Sequence, residues 1–523
     1  MSPLLKQRLE LLAQPSLSDK LAACMHGIEK ESLRMNVRGG LSRLPHPPGL
    51  GSALTHPTIT TDYSEALIEL ITPVSPTIDS LFDELDNVHR FVYSELGDEL
   101  LWTESMPCRL PSRDDDIPIA WYGTSNVGML KHVYRRGLAV RYGKPMQCIA
   151  GIHYNFSLPP AIWEALREQD GDARNAQDYQ SERYIALIRN FRRYAWLLMY
   201  LFGASPALCA SFLQGREHQL LPLGEHSLYL PYATSLRMSD LGYNNDAQAG
   251  LDVCYNSLES YIVSMRKATS LPFPRYAELG THDANGEWQQ LNTNLLQIEN
   301  EFYSSIRPKR VTHSGEKPAH ALDERGVEYV EVRCMDLDPF VPLGIEPSTA
   351  HFLDSFLLFC ALTDSPAMTD QDCKTSDDNF ALTVKRGREP GLQLSRDGQP
   401  VTLTAWGEEL ISGIEACARL LDKSQQTSAH TDALQPQRQK LKDASLTPSA
   451  KVLAAIAEQG DSFFQFALAQ SEKHREHFLS RPLNSDQQQS FVAMAAQSVA
   501  DQAAIEAADK IDFDAYVAWY QSQ

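Results

Sequence analysis

The chain has 523 residues, 43% of them apolar, with 47 basic against 67 acidic side chains and a net charge of -20. That length exceeds one compact domain and allows a large buried core, so a catalytic body with an appended region is expected. The acidic balance argues against a general nucleic-acid surface and against adhesion to anionic membranes, and any bound polyphosphate must be met by locally gathered Arg, Lys or metal.

The first residues, Met-Ser-Pro-Leu-Leu-Lys-Gln-Arg, lack the basic start, apolar stretch and cleavage site of a secretory signal, so no export is expected. Residues 3–23 carry leucines at helical spacing and predict one amphipathic helix. An extended segment follows, bearing Glu29 and Glu31, and the turn-prone Asn36 to Gly40 predicts a hairpin over Gly27–Arg43. Glu65 to Thr72 is read as a strand bounded by Pro73, with Glu65, Leu67 and Glu69 on one face and Asp62 at its entrance. Residues 77–97 predict a helix. Ile149 to Leu158 shows the cleanest alternation in the chain, with His153, Asn155 and Ser157 on one face and Ile152, Tyr154, Phe156 and Leu158 on the other. Residues 181–202 predict a long helix; its apolar run Trp196–Phe202 is far shorter than the roughly 20 residues of a membrane span. Gly326 to Arg333 predicts a strand on which Val327, Tyr329, Glu331 and Arg333 share a face opposite Glu328. Beyond residue 400 the texture is helical, with a polar, mobile connector expected near Lys423–Gln437, Ala-rich segments at 449–471 and 488–509, and a role as scaffold or lid. The nine cysteines are scattered without a Cys-x-x-Cys pair, which predicts reduced, mostly buried thiols and a cytoplasmic protein.

Two glutamates spaced by two on a strand point the same way, roughly 6 to 7 Å apart, a spacing that suits divalent cations. Alone, such a pair is an ordinary solvated strand face. The polar faces collected together give Glu29, Glu31, Asp62, Glu69, His153, Glu328 and Glu331, from four separate extended segments. Oxygen-dominated ligation with one imidazole suits Mg²⁺ or Mn²⁺, and the lack of clustered Cys and His argues against structural zinc. No Walker loop and no Gly-x-Gly-x-x-Gly opening a helix occurs, so a nucleotide would be held by other means. Three Arg-containing stretches, Tyr134–Gly137, Ser235–Arg237 and Ile306–Arg310, could supply cations; solvated surface is the default for the last.

The segments Gly-Ile-Glu29-Lys-Glu31-Ser-Leu-Arg, Thr61-Asp62-Tyr-Ser-Glu-Ala-Leu-Ile-Glu69, Tyr122-Gly-Thr-Ser-Asn126, Gly151-Ile-His153-Tyr-Asn155-Phe-Ser, Tyr232-Ala-Thr-Ser-Leu-Arg237-Met-Ser-Asp-Leu-Gly-Tyr243, Gln297-Ile-Glu-Asn-Glu-Phe-Tyr303 and Glu328-Tyr-Val-Glu331-Val-Arg333 closely resemble the bacterial glutamate–cysteine ligase family. The likeness runs over roughly residues 20–345. It implies an α+β, glutamine-synthetase-like catalytic fold, a curved and mostly antiparallel sheet forming a funnel, over residues 1–400, with a helical region at 401–523 packed on it. The reaction it implies joins L-glutamate and L-cysteine with ATP through γ-glutamyl phosphate, the first step of glutathione synthesis. By the same resemblance Glu29, Glu31, Asp62, Glu69, His153 and Glu331 would ligate Mg²⁺ (Mn²⁺ as an alternative), with Glu331 and Arg333 catalytic and Arg333 also meeting the nucleotide phosphate. Tyr134, Arg135, Asn155, Arg237, Tyr243 and Tyr303 would form the amino-acid pocket. Strand parity favours Glu331 over Glu328 as ligand. Tyr63 falls where a Phe also fits the family pattern, so no role is assigned to its hydroxyl. The expected partners are small molecules, with no nucleic acid and no membrane, and the expected state is a monomer. Three other readings compete: another carboxylate–amine ligase of the same fold, a metal-dependent hydrolase using the acidic cluster without ATP, and a non-catalytic binding protein.

Overall fold

The computed structural model describes residues 2–107, 109–241, 248, 251 and 253–523. Two short helices open the chain, α1 (Pro3–Leu12) and α2 (Pro15–Leu21), in place of the single helix expected over 3–23. Pro15 is the reason: it forces Gln14 into an extended conformation (ψ 139°) and restarts the helix at its own position.

A seven-stranded antiparallel sheet forms the centre. In chain order its strands are β1 (Met25–Met35), β2 (Ile59–Thr61), β3 (Leu67–Ile71), β4 (Leu100–Leu101), β5 (Ile152–Ser157), β9 (Ile306–Lys309) and β10 (Tyr329–Met335), arranged β2-β3-β1-β5-β10-β9 with β4 beside the end of β1. A small separate sheet holds β6 (Ala207–Cys209), β7 (Leu221–Leu223) and β8 (Ser227–Tyr229). The hairpin expected over Gly27–Arg43 is reduced to its turn. Asn36 accepts the Gly39 N–H at 2.8 Å, but the return is one bridge, Met35 to Leu41. Both edges of β1 are already used, by β3 over Glu29–Leu33 and by β5 over Met25–Lys30, so no ladder remains for a returning strand. Glu65 likewise lies outside β3. Its carboxylate accepts from the His46 and Trp121 backbone N–H groups at 3.0 and 2.8 Å, a structural use that removes it from the Glu69 face.

The back of the sheet is apolar. Ile68 and Leu70 of β3 pack against Val88, Phe91 and Val92 of helix α3 (Ile78–Glu95), whose N-terminus is capped by Thr77. Tyr154, Phe156, Val330 and Val332 from β5 and β10 join the main core, to which long helix α6 (Ala176–Phe202) and the Pro347–Leu362 helix contribute. Helix α4 (Asn126–Tyr142) stands on the opposite, polar side; α5 (Pro160–Asp170) leads into α6.

The connector expected near Lys423–Gln437 is helical. The Leu403–Gln425 and Ala429–Lys442 helices are joined by a tight turn with Gln426 at φ 55°. Asp422 makes this possible by accepting the N–H groups of His430 and Thr431 at 2.9 and 3.1 Å, which satisfies the start of the second helix. The Ala-rich stretches are cut at Gly460-Asp461, giving the Pro448–Glu458, Phe463–Leu479 and Ser485–Ala508 helices, followed by Phe513–Ser522. Residues as far along as Phe466 and Ala467 share the main core with Leu5 and Ile28, so these helices are built into the same body. Among the described cysteines seven are free, whereas Cys209 is disulfide-bonded, against the expectation of reduced thiols throughout. Disulfide pairing follows spatial proximity, which sequence spacing does not reveal. No helix among the described residues is long and apolar enough to cross a membrane.

Candidate active site

Cross-strand register builds an acidic face on the open side of the sheet. Glu31 lies directly opposite Glu69, Glu29 opposite His153, and Glu331 opposite both Asn155 and Arg307. Glu29 Oε2 sits 3.1 Å from His153 Nδ1, and its Oε1 accepts from Asn155 Nδ2 at 2.9 Å. Glu31 Oε2 accepts the Gly151 N–H at 2.7 Å, and its other oxygen lies 3.9 Å from His153 Nε2. Glu331 accepts from Arg333 at 3.1 Å and lies 3.5 Å from Lys309 Nζ and 3.8 Å from His153 Nδ1. Glu29, Glu69 and His153 bring ligand atoms within 4.8 Å of one another. The sequence-derived ligands thus converge, and Asp62 joins Glu31 at the wall of the neighbouring cavity. Glu328 does not converge: it precedes β10, accepts the Val311 N–H at 3.2 Å and faces Arg310, as strand parity requires.

The charge on this face is unevenly compensated. Glu69 is raised well above the usual carboxylate range by burial and then by Glu29, Asp62 and Glu31. Glu31 is also raised, by burial, with His153 opposing and Asp62 adding. On the other side burial is outweighed. Glu331 is held well below its ordinary value by Lys309, Arg333 and His153, and Glu29 is lowered by its hydrogen bond to His153 despite burial and the nearby Glu331. Like charges placed directly opposite in a sheet are destabilising unless something positive answers them. On the Glu31–Glu69 side burial and the neighbouring carboxylates outweigh Arg237, Arg333 and Arg135, which pull the two carboxyls down. A hard divalent cation fits that donor set, and the buried Asn155 Oδ1, which has no hydrogen-bond partner among the described residues, offers one more oxygen.

Beside this face opens a cavity of about 480 Å³. Glu31, Asp62 and Arg333 form its sheet side; Tyr134, Arg135, Arg141 and Tyr142 of α4 face them, with Tyr303 and Arg307 between. Arg135 donates through Nε to the Asp62 carbonyl and lies 4.7 Å above the Tyr122 ring. The Tyr303 hydroxyl, pushed up to about 12 by burial, donates to Met238 Sδ at 2.9 Å. Nε of Arg307 and Nε of Arg333 are buried without hydrogen-bond partners among the described residues, an arrangement suited to an anionic guest.

Three pocket expectations fare differently, and Asn155 is the first: it stands outside the cavity lining and is bound to Glu29 on the acidic face. Arg237 does not line the cavity: it is buried, donates to the Arg333 carbonyl at 3.0 Å, lies 3.7 Å from Asp336 and packs on Gly151, where a Cβ would meet its Nη2 at 2.0 Å. It supports β10 from beneath. Tyr243 lies outside the described residues. Sequence reasoning missed Arg307 and Lys309, whose stretch it assigned by default to solvated surface. Alternation around Pro308 turns both toward Glu331 and leaves Arg310 outside, and that period of two was the available signal. Tyr63, given no role, lines the cavity with a buried hydroxyl that has no partner among the described residues. Arg141 and Tyr142 were missed because their neighbours, Glu301 among them at 3.0 and 2.6 Å, come from distant loops.

A curved antiparallel sheet with carboxylates and a histidine on its open face, beside an arginine- and tyrosine-lined cavity, places the molecule among enzymes of the glutamine-synthetase-like fold. A family model described as glutamate-cysteine ligase matches residues 9–383. A glutamate–cysteine ligase of Pseudomonas putida is 58% identical over 522 residues, covering 100% of this chain and 99% of its own. The crystal structure of a glutamate–cysteine ligase from Francisella tularensis in complex with AMP superposes with a TM-score of 0.90 at 38% identity, over 96% of this chain and 98% of that one. A bifunctional glutathione synthetase from Pasteurella multocida shares the fold at a TM-score of 0.69 and 24% identity, over 93% of this chain and 57% of its own. The chain belongs to the glutamate–cysteine ligase family.

Proposed function

We propose that the chain joins the γ-carboxylate of L-glutamate to the amine of L-cysteine at the expense of ATP, passing through γ-glutamyl phosphate and releasing ADP and phosphate. The observation that carries this reading is the acidic, histidine-bearing strand face set directly against a cavity lined by arginines and tyrosines, in a member of this family. Glu29, Glu31, Asp62, Glu69, His153 and Glu331 would hold Mg²⁺, or Mn²⁺. Bound there, the metal would neutralise phosphoryl oxygens and let a carboxylate approach them.

A carboxylate is a poor acyl donor because its oxygen is a poor leaving group, and phosphorylation corrects this. The protein's own part is electrostatic and positional. Arg333, fixed by Glu331 at 3.1 Å, keeps its guanidinium at the cavity wall where phosphoryl charge develops. Arg307, whose Nε has no partner among the described residues, adds a second cation there. Arg135 is held to the Asp62 carbonyl and is placed to grip an amino-acid carboxylate, while Tyr134 and Tyr303 wall the cavity and limit water around an acyl phosphate.

A coupled assay of ADP release with glutamate and a panel of amines tests this. Stimulation by cysteine, dependent on both ATP and glutamate, is expected. Stimulation by another amine and none by cysteine would replace it with a different carboxylate–amine ligase, and metal-dependent release of glutamate and amine from an added γ-glutamyl amide in the absence of nucleotide would make the site hydrolytic.

A further inference from the structure

Helix α4 carries the cavity wall opposite the acidic strands; its C-terminal half is tied to the 290–301 loop, through Arg141 to the Asn292 carbonyl at 2.7 Å and through Gln297, which donates to the Tyr134 carbonyl at 3.1 Å, whereas its N-terminal end is held differently. Its first turn has no acidic residue, and the leading N–H groups of any helix lack intrahelical partners. Ser125 takes one of them, accepting the Gly128 N–H at 3.2 Å. Most of the remaining hydrogen bonding at this end comes from more than 380 positions further along the chain. Glu506 accepts the Thr124 N–H at 2.8 Å, Asp509 accepts the Asn126 N–H at 2.6 Å, and the Ile511 carbonyl accepts from Asn126 Nδ2 at 2.9 Å. Carboxylates at a helix start also complement its dipole.

The same segment covers the outer face of α4. Val517 and Tyr520 of the Phe513–Ser522 helix close an apolar cluster with Leu130, Val133 and Leu291, and Tyr134 packs on its edge. Upstream, the Ser485–Ala508 helix is fixed to the body. Phe491 stacks on Phe91 at 4.9 Å, and Ser498 Oγ accepts the Ser52 N–H at 2.9 Å. The fit is close at Gly123, at φ 82°, where a Cβ would meet Gln502 Nε2 at 2.2 Å and Glu506 Oε1 at 2.3 Å. Gly123 follows Tyr122, the ring beneath Arg135. A continuous strut therefore runs from α3 to the two elements that place Arg135 and Tyr134.

We propose that Glu506 and Asp509, with Val517 and Tyr520, are positioning residues for the ligase site: they set α4, and through it Arg135 and Tyr134, although none of them lines the cavity. The inference rests on the proposed reaction only for what the cavity binds; the anchorage of α4 can be tested without turnover.

The test uses the full chain and the Asp509→Ala, Asp509→Asn and Glu506→Ala variants. Removing the acceptor is expected to speed amide exchange at the start of α4 about fivefold and to raise KM for the amino-acid substrates by about the same factor, with kcat within about twofold. Mn²⁺ affinity, read by calorimetry with the metal alone, should stay within about twofold, since Glu506 and Asp509 bond to Thr124 and Asn126 and not to the acidic strand residues. Asp509→Asn keeps an oxygen acceptor and should recover most of the loss. Unchanged exchange and unchanged KM in both Asp509→Ala and Glu506→Ala would overturn the proposal, as would a KM rise that merely tracks the unfolded fraction seen by circular dichroism. If the unsubstituted chain shows no cysteine-dependent turnover, the reaction assignment fails while the exchange result still decides the role of the strut.

Discussion

Glu331 is buried against two cations, Lys309 and Arg333, with His153 beside it, and is the anchor of the cationic side of the site. Replacing it by Gln keeps the volume and removes the charge, leaving Lys309 and Arg333 without their counter-ion. Turnover of Glu331→Gln, and of Glu29→Gln, is expected to fall by more than about a hundredfold with the fold retained. Unfolding of either variant under native conditions, seen by circular dichroism, would assign the carboxylate a structural role instead. A second residue-scale effect lies behind the sheet. His430 sits between Asp354, at 3.7 Å, and Asp422, at 3.1 Å, while Asp354 also accepts from the Tyr154 hydroxyl and contacts His26 at 2.9 Å. Burial opposes the charge on His430, but the two carboxylates outweigh it and raise its pKa, whereas both carboxyls are lowered. His351, the other imidazole touching His430, is pushed down to about 4 by burial and by His430 itself, so it stays neutral. A raised imidazole contributes stability in full below its ordinary pKa of about 6.5 and loses it as pH rises through the folded value; the lowered carboxyls contribute above about 3.9 and fail on acidification. The stability advantage of the protein over His430→Gln, read from urea midpoints, should therefore be largest at pH 6 and shrink toward pH 8.5. Parallel profiles for the two proteins would refute the assignment.

Gly151, just before β5, shows how one element end serves the site. Its N–H donates to Glu31, its carbonyl accepts the Glu31 N–H at 3.0 Å, and Arg237 fills the space where a Cβ would stand. Gly151→Ala is expected to cost about 1 to 3 kcal/mol by overpacking and to weaken Mg²⁺ binding, both readable from denaturation and calorimetry. An unchanged stability would mean that Arg237 moves aside freely. Phe491→Ala, which removes a ring stacked on Phe91, should cost about 3 kcal/mol or more if the Ser485–Ala508 helix is as firmly docked as its contacts indicate. At this scale the strands bearing ligands were legible because their alternation is local: His153 and Asn155, or Glu331 and Arg333, fall on one face whatever lies beside them. Elements whose form depends on partners were not. The hairpin after β1 fails because distant strands take its edges, and the polar run 423–437 is helical because Asp422 caps it. The opening helix is a local matter, and Pro15 alone was enough to divide it.

Across the whole molecule the acidic wall could be assembled from the sequence, since its ligands lie on strands with a fixed period. The arginine wall could not, because α4, β9 and the loop around Glu301 meet only in the folded chain, and Arg307 reads as surface until β10 is set beside it. A metal bound only by the folded state stabilises it in proportion to the logarithm of its concentration, about 2.7 kcal/mol at a hundred times Kd. Mg²⁺ should thus raise the thermal midpoint and EDTA return it. Glu29→Gln should show a smaller Mg²⁺-dependent rise, and an identical rise in the variant would place the cation elsewhere. The order of the strands also has a consequence for biosynthesis. β1 zips to β3 within a few dozen residues of emerging from a ribosome, but its other partner, β5, is far downstream, and β5 in turn awaits β10. At about 5 to 20 residues per second, the free edge of β5 stays unpaired for roughly 10 to 40 seconds. A nascent chain of this protein therefore carries an open strand edge, apolar on one face, until β10 is made, and it must avoid pairing with other chains for that time.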